Sequence, residues 1–226
     1  MIREIAYDRP EELASGVAMQ IAADLRRSLL EHKGKAVLVV PGGTTPAPVF
    51  LRLRLQSLEW SRIIIMPSDE RWIKPPHQDS NETLIREHLL QNKAEEATLF
   101  SLYRFLSKPH DAEGLINQEL KSVTDARPIV MLGMGEDGHF ASLFPHMLRL
   151  EEGLNPQGNI YCLAVDTVQK GYPRMSLTLS YLLQAKRIFL VFKGQAKRKL
   201  IDLPEGLPIE ALLRQNRTDI EIHWVD

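Results

Sequence analysis

The sequence predicts an α/β fold with a doubly wound, largely parallel sheet and helices on both faces, of the Rossmann-like kind. Short apolar runs of strand length alternate along the chain with longer segments of helical periodicity, which is typical of such sheets. The runs are apolar at every position, as in Ala36–Val40, and this indicates strands covered on both faces. A length of 226 residues suits one domain, so we expect residues 1–226 to form a single α/β domain.

The first predicted helix follows Asp8, which we interpret as a capping acid, and it has a proline and two glutamates in its first turn. Apolar residues recur at helical spacing from Leu13 to Leu29, and Gly34 ends the segment. Ala36–Val40 is then the first buried strand. The same patterns predict strands at 62–66, 128–132, 187–192 and 220–225, and helices at 81–91, 111–123, 176–184, 195–201 and 208–215.

Composition argues against several classes of protein. With 28 basic and 29 acidic residues the net charge is −1, so nothing favours nucleic acid or an anionic membrane as a partner. The one cysteine, Cys162, lies in an apolar run and is interpreted as a buried small hydrophobic residue, with no intrachain disulfide possible. Residues 1–8 lack the apolar core of a signal peptide and no run reaches the length of a membrane span, so we expect a cytoplasmic protein.

The most informative segment is Met131–His139, MLGMGEDGH, in which a glycine-rich loop follows the end of the strand predicted at 128–132. Glycines let backbone N–H groups come close to a ligand and allow positive φ. Asp137 and His139, two residues apart, are suited to proton transfer because an imidazole ordinarily titrates near pH 6.5. We therefore predict a functional loop here. The alternative is a glycine-rich turn between a strand and a helix that carries a solvated acid and histidine.

A second glycine loop, Gly42-Gly43-Thr44-Thr45 followed by a proline, comes after the strand that ends at Val40. Its backbone N–H groups, two hydroxyls and the amino end of a following helix suit a phosphate group. It lacks the spacing and the lysine of a Walker A loop, so a nucleoside triphosphate is not implied. A tight turn capped by a hydroxyl is the alternative.

Charged residues follow two more predicted strands. Arg71 is able to hold a phosphate or carboxylate through its planar guanidinium, and Asp69 to touch sugar hydroxyls, although a self-neutralising surface salt-bridge cluster explains this segment equally well. Arg174 and Lys197, each near a glycine, would complete a phosphate clamp, although either in isolation is an ordinary surface charge. Ligands of open α/β sheets lie beyond the carboxyl ends of the strands, so we expect these loops to converge on one cleft.

Metal binding is not expected, because the remaining histidines show no repeated ligand spacing. These histidines include His77, His88, His110, His146 and His223.

Taken together, the motifs resemble those of the 6-phosphogluconolactonase family, in the family's order from about residue 36 to residue 200. The matching segments are GGTTP at 42–46, DER at 69–71 with SN at 80–81, GMGEDGH at 133–139 with ASLFP at 141–145, RMSLT at 174–178 and GQAK at 194–197. Two departures are His146, where many members carry glycine, and the tract Gly171–Arg174, where two prolines often precede the arginine. Neither falls on a position matched to the family's catalytic residues.

The resemblance implies hydrolysis of 6-phosphoglucono-1,5-lactone to 6-phosphogluconate in the oxidative pentose phosphate pathway, without a metal or organic cofactor. It implies the fold of glucosamine-6-phosphate deaminase. It matches the family's catalytic pair to Asp137 and His139, and its phosphate loop to residues 42–45 with Arg174 and Lys197 as cationic partners. We interpret His139 as the general base, oriented by Asp137.

Two rival functions remain open. Aminosugar deaminases share these loops, but they resemble one another in an Asn-Glu-Pro-type segment that supplies an acid for ring opening. Phe144 falls where that glutamate is expected, which favours a lactonase. A sugar-phosphate-binding module without catalysis is the other rival. Regulators of that class need a DNA-reading element, and this chain shows neither a helix-turn-helix segment nor a basic patch.

Overall fold

The computed structural model describes residues 1–123, 127–166 and 171–226. Within these residues the chain forms strands, α-helices and two short 3₁₀ turns (Trp60–Arg62 and Asn92–Glu96). In chain order the elements are β1 (Ile2–Tyr7), α1 (Pro10–Glu31), β2 (Ala36–Val40), α2 (Ala47–Leu53), β3 (Ile63–Pro67), β4 (Asp69–Arg71), α3 (Asn81–His88), β5 (Thr98–Leu99), α4 (Pro109–Val123), β6 (Ile129–Leu132), α5 (Leu150–Leu154), β7 (Cys162–Val165), β8 (Arg174–Leu177), α6 (Leu179–Leu182), β9 (Arg187–Lys193), α7 (Gln195–Asp202), α8 (Pro208–Leu213) and β10 (Asp219–Val225).

Seven strands form a parallel central sheet in the order β1-β10-β9-β6-β2-β3-β5. From β2 the chain builds outward through β3 and β5, and from β6 it builds in the opposite direction through β9 and β10. The predicted doubly wound, largely parallel sheet is confirmed. Loops that leave two neighbouring strands in opposite directions open a crevice between them, so the reversal between β2 and β6 marks the expected ligand site.

Separate hydrophobic cores cover the two faces of the sheet. On β2 the side chains of Leu38 and Val40 join the core that contains α1, α2 and α3, whereas Val37 and Val39 join the core that contains α4 and α8. Every residue of β2 is buried, which accounts for its continuous apolar run. The β2 end of the crevice is therefore held rigidly from both sides.

A second sheet of three antiparallel strands, in the order β4-β8-β7, was missing from the prediction. The predicted helix over 176–184 is wrong in its first part, because Ser176 lies in β8 and α6 spans only Leu179–Leu182. Strand β8 pairs on both edges, with β4 and with β7, and this long-range pairing overrides the local helical pattern. Cys162 lies in β7 and is buried, as expected.

The ends of several helices differ from prediction. Helix α1 begins at Pro10, but its N-cap residue is Arg9 and makes no side-chain capping bond, so the interpretation of Asp8 as the capping acid is wrong. Helix α3 ends at His88, not at residue 91. Among the described residues, no helix has the length and apolar character needed to cross a membrane.

Glu70 is a fully buried carboxylate that anchors the amino end of α3. One oxygen accepts the backbone N–H groups of Arg71 (2.7 Å) and Asn81 (2.8 Å). The other accepts the Ser80 hydroxyl (3.1 Å) and the backbone N–H of Glu82 (2.6 Å). Burial raises the pKa of Glu70 to about 7, and the three backbone N–H donors oppose that rise. Glu70 thus joins the second sheet to α3 beside the crevice.

We predict that Glu70→Gln lowers the thermal stability. A glutamine has one oxygen for four donors, so at least one buried N–H loses its acceptor, at a cost of about 1–3 kcal/mol. In a chain of this size each kcal/mol lowers Tm by roughly 2–4 °C. Thermal unfolding followed by circular dichroism at pH 8 measures the change, and Glu87→Gln, an exposed acid on the same helix, is the matched control. Equal Tm values for the two variants would contradict the anchoring role.

Candidate active site

A cavity of about 280 Å³ opens at the crevice beyond the carboxyl ends of the central strands. The predicted site residues on its wall are Gly42, Gly43, Thr44, Thr45, Asp69, Arg71, His139, Arg174 and Lys197. Asp137 is not on the wall and lies behind His139. The four loops that follow β2, β3, β6 and β9 thus converge as the sequence predicts, and β8 adds Arg174.

Asp137 and His139 form a hydrogen-bonded pair at the end of β6. The Asp137 Oδ1 atom lies 2.5 Å from Nδ1 of the imidazole and also accepts the backbone N–H of His139 (3.3 Å). Partial burial acts to raise the pKa of Asp137, but the hydrogen bond and charge of His139 outweigh it, so this pKa lies below its usual range. An ionised carboxylate can only accept, so Nδ1 carries the proton and Nε2 is left as the basic nitrogen.

The glycines of this loop leave the space that the imidazole fills. A Cβ on Gly135 would lie 2.2 Å from the His139 ring and 2.7 Å from the Asp137 carboxylate. The Gly135 N–H donates to the carbonyl of His139 (2.8 Å), which closes the loop, and Gly138 has a φ of +74°. The pair is therefore positioned by backbone that only glycine permits.

Arg174 reaches the cavity from β8. Its Nη1 atom lies 3.4 Å from Oδ2 of Asp69, and its guanidinium lies over the Phe144 ring at 5.3 Å from the ring centre. Phe144 also packs against His139, with ring centres 4.5 Å apart. Burial lowers the pKa of Arg174, and the Asp69 carboxylate opposes that fall. Because the pKa of an arginine ordinarily lies far above neutral pH, the guanidinium stays charged.

The two other cations are held by backbone carbonyls. Lys197, on the first turns of α7, donates to the carbonyl of Met134 (2.6 Å) in the loop that carries His139. Arg71 donates through Nη1 to the carbonyl of Asp79 (2.5 Å). Both side chains line the cavity, which therefore presents three cations to a ligand.

The loop at residues 42–45 faces Asn81, a cavity residue to which the sequence analysis assigned no role. A Cβ on Gly42 would lie 1.9 Å from the Asn81 amide oxygen, so only glycine allows this approach. The Asn81 Nδ2 atom donates to the backbone carbonyl of Asp69 (2.7 Å). Gly43 adopts a φ of +86°. The segment Ser80-Asn81 was the sequence signal that could have identified Asn81. Asn81 is the first residue of a helix, and that helix fixes its position beside the glycine loop.

Asp69 and Glu70 are buried, so the alternative of a surface salt-bridge cluster is wrong. Both oxygens of Asp69 have protein partners: Oδ1 accepts from the Ser68 hydroxyl (3.0 Å), and Oδ2 from Ser142 (2.5 Å) and Arg174. Contact of Asp69 with sugar hydroxyls stays a prediction.

Within residues 1–123, 127–166 and 171–226, no group of three or more histidine, cysteine or acidic side chains is arranged to hold a metal ion. His223 is fully buried and contacts the Tyr7 hydroxyl (2.9 Å) and the Glu221 carboxylate (3.3 Å). His110 lies 3.5 Å from Asp166. These two histidines thus contact other side chains of the fold. The expectation of a metal-independent reaction stays a prediction.

Comparison with known proteins gives a family. Residues 8–219 match the model of the family described as glucosamine-6-phosphate isomerases/6-phosphogluconolactonase. The chain belongs to this family. A 6-phosphogluconolactonase of Pseudomonas aeruginosa is 36% identical over 219 residues, covering 94% of this chain and 90% of the relative.

The solved structures agree with this assignment. The crystal structure of a 6-phosphogluconolactonase from Shewanella baltica superposes with a TM-score of 0.90 at 33% identity, covering 100% of this chain and 98% of the other. A monomeric glucosamine-6-phosphate deaminase superposes with a TM-score of 0.77 over 98% of this chain and 97% of its own, at 19% identity. At that identity the likeness shows the shared fold alone.

We predict that Gly135→Ala lowers turnover as severely as His139→Ala, because the added methyl group occupies the space of the imidazole. Loss of a general base costs about 10²–10⁴-fold in turnover. Gly133→Ala makes the same chemical change in the same loop, but a Cβ at Gly133 would meet nothing within 4 Å. This variant should therefore lose much less turnover. Steady-state rates of the three variants, with Tm checked for each, measure this. Similar rates for the two alanine-for-glycine variants would show that the imidazole is not placed by Gly135.

Proposed function

We propose that this protein, as a single α/β domain, hydrolyses 6-phospho-D-glucono-1,5-lactone to 6-phospho-D-gluconate. The observation that carries the proposal is the Asp137–His139 pair, whose imidazole lines the same cavity as Arg71, Arg174 and Lys197. Membership of the family and the lactonase relatives support it.

His139 supplies both proton transfers of the reaction. Its Nε2 atom takes a proton from a water molecule as the oxygen of that water attacks C1 of the lactone, giving a tetrahedral oxyanion and an imidazolium. When the bond between C1 and the ring oxygen breaks, the imidazolium returns the proton to that oxygen. Asp137 holds Nδ1–H throughout and stabilises the cation, so it acts as a positioning residue. The product is an open-chain acid, which ionises in water.

The phosphate end of the substrate binds the loop at residues 42–45 together with Arg174 and Lys197. Successive N–H groups and hydroxyls complement phosphate oxygens, and two cations supply the charge. Binding at the phosphate, remote from C1, holds the carbonyl near His139 and lowers the entropic part of the barrier. Arg71 and Asp69 line the same cavity. In this proposal Arg71 holds a phosphate or carboxylate group of the ligand, and Asp69 touches sugar hydroxyls.

Phe144 favours lactone hydrolysis over deamination. Amine loss from an aminosugar needs ring opening and proton transfer at more than one carbon, whereas lactone hydrolysis needs one water at one carbonyl. The side chain packed against His139, at the position matched to the deaminase acid, is an aromatic ring that transfers no proton. The apolar ring also fills the space beside the imidazole.

The reaction as proposed uses no metal or organic cofactor and takes place in the cytoplasm, since its substrate is a phosphorylated metabolite. We propose no nucleic-acid or membrane partner for it. The net charge of −1 supports that view.

A direct assay tests the proposed function. Wild-type protein should accelerate opening of freshly generated 6-phosphogluconolactone above its spontaneous rate, and a chelator should leave the rate unchanged. Glucosamine 6-phosphate, run beside it, should release no ammonia. Ammonia release without lactone hydrolysis would assign the chain to the deaminases, and tight binding of 6-phosphogluconate without turnover would assign it to the non-catalytic modules.

We predict that Arg174→Ala and Lys197→Ala act mainly on affinity. Each removes one charge-assisted contact worth roughly 1.5–3 kcal/mol, which corresponds to about ten- to hundredfold weaker binding. The KM for gluconolactone, which has no phosphate, should rise much less than the KM for 6-phosphogluconolactone. Steady-state kinetics with both lactones measure the difference. Lys199→Ala removes an exposed cation from the same helix and is the matched control for Lys197. An equal rise of KM for both lactones would argue against a phosphate clamp.

A further inference from the structure

Ser142 is a fully buried side chain that stands three residues after His139 and contacts the ion pair of Asp69 and Arg174. Its hydroxyl lies 2.5 Å from Oδ2 of Asp69 and 3.3 Å from Nη1 of Arg174. Asp69 and Arg174 themselves are 3.4 Å apart at the same two atoms. The three atoms thus form a triangle, and its shortest side joins the Ser142 hydroxyl to the Asp69 carboxylate.

The direction of each bond in this triangle follows from donor chemistry. A carboxylate oxygen only accepts, so the one proton of the Ser142 hydroxyl goes to Asp69. The lone pairs of the same hydroxyl then face Arg174, which donates to it. Ser142 therefore shares Oδ2 of Asp69 with Arg174, as the nearer of the two donors, and it also offers the guanidinium a neutral acceptor.

We propose that Ser142 is a positioning residue that keeps the Arg174 guanidinium available to the substrate phosphate by sharing its carboxylate partner. A carboxylate without the serine would draw the arginine into a closer, two-point ion pair, the arrangement that these groups favour. Such a pair would turn the guanidinium away from the cavity. This inference rests on the proposed function, in which Arg174 binds the phosphate.

The surroundings of Ser142 keep the triangle fixed. Its backbone N–H donates to the Ser176 hydroxyl (3.0 Å) on β8, the strand that also carries Arg174. Ala141, immediately before it, adopts a φ of +49°, a conformation that a residue other than glycine holds only when its neighbours enforce it. The loop after His139 is thereby bonded to the second sheet at the point where the arginine leaves it.

Ser142→Ala tests the proposal through the separation of KM from kcat. We expect KM for 6-phosphogluconolactone to rise about tenfold, as for loss of one charge-assisted contact, while kcat stays within about threefold. KM for gluconolactone without phosphate should not change. Calorimetric titration with 6-phosphogluconate measures the same loss without turnover, so it separates a failure of this inference from a failure of the proposed reaction.

Two controls make the test specific. Ser68→Ala removes a buried hydroxyl from the other oxygen of the same carboxylate, and it should lower Tm without raising KM. In an Arg174→Ala background, Ser142→Ala should add nothing to KM, because the serine acts through the arginine. Ser142→Cys, which is nearly the same size, replaces the alanine variant if that variant does not fold.

Several results would overturn the proposal. These are an unchanged KM and 6-phosphogluconate affinity in Ser142→Ala, an equal rise of KM in Ser68→Ala, or an undiminished effect of the serine variant when Arg174 is absent. A fall in kcat at constant KM would also overturn it, since it would mean that Ser142 places His139 and not Arg174.

Discussion

The reversal of strand order between β2 and β6 is the constraint on which the site depends. The two strands pair side by side at the centre of the sheet, but the chain leaves them in opposite directions. Their loops therefore cannot pack against each other, and a crevice stays open between the loop at residues 42–45 and the His139 loop. Glycine-rich turns follow both strands, and Gly42, Gly43, Gly133 and Gly135 line the cavity.

Buried carboxylates connect the second sheet to this crevice. Glu70 bonds the sheet to the amino end of α3, and Asp69 bonds it to Asn81, Ser142 and Arg174. Burying an acid is costly unless several donors satisfy it, and each of these two has four. These donors offset the cost, and the hydrogen bonds of Asp69 also hold an arginine and an asparagine at the cavity wall.

The loop that carries His139 has a different arrangement, in which a half-exposed acid is hydrogen-bonded to an imidazole. Asp137 is about half exposed, and its role follows from proximity to His139 and not from burial. The ring contacts this carboxylate and also Phe144, which in turn contacts Arg174. The proposed proton-transfer group and a proposed phosphate-binding cation are thus packed on the same aromatic ring, although their proposed chemical tasks differ.

The sequence by itself determined the parallel α/β class, the main central strands and the charged and glycine-loop residues that were expected at the cavity, although it assigned no role to Asn81 and Asp137 is not on the wall. It did so because apolar runs record burial on both faces, and because glycines mark backbone that must approach a ligand. Only the tertiary structure decided the second sheet, where β8 pairs between β4 and β7 against a local helical pattern. Only the folded chain shows that Asp69 is buried and shared by Ser142 and Arg174, residues 73 and 105 positions away. Contacts between residues so distant in sequence depend on how the strands are ordered, and no local pattern of residue types records that order.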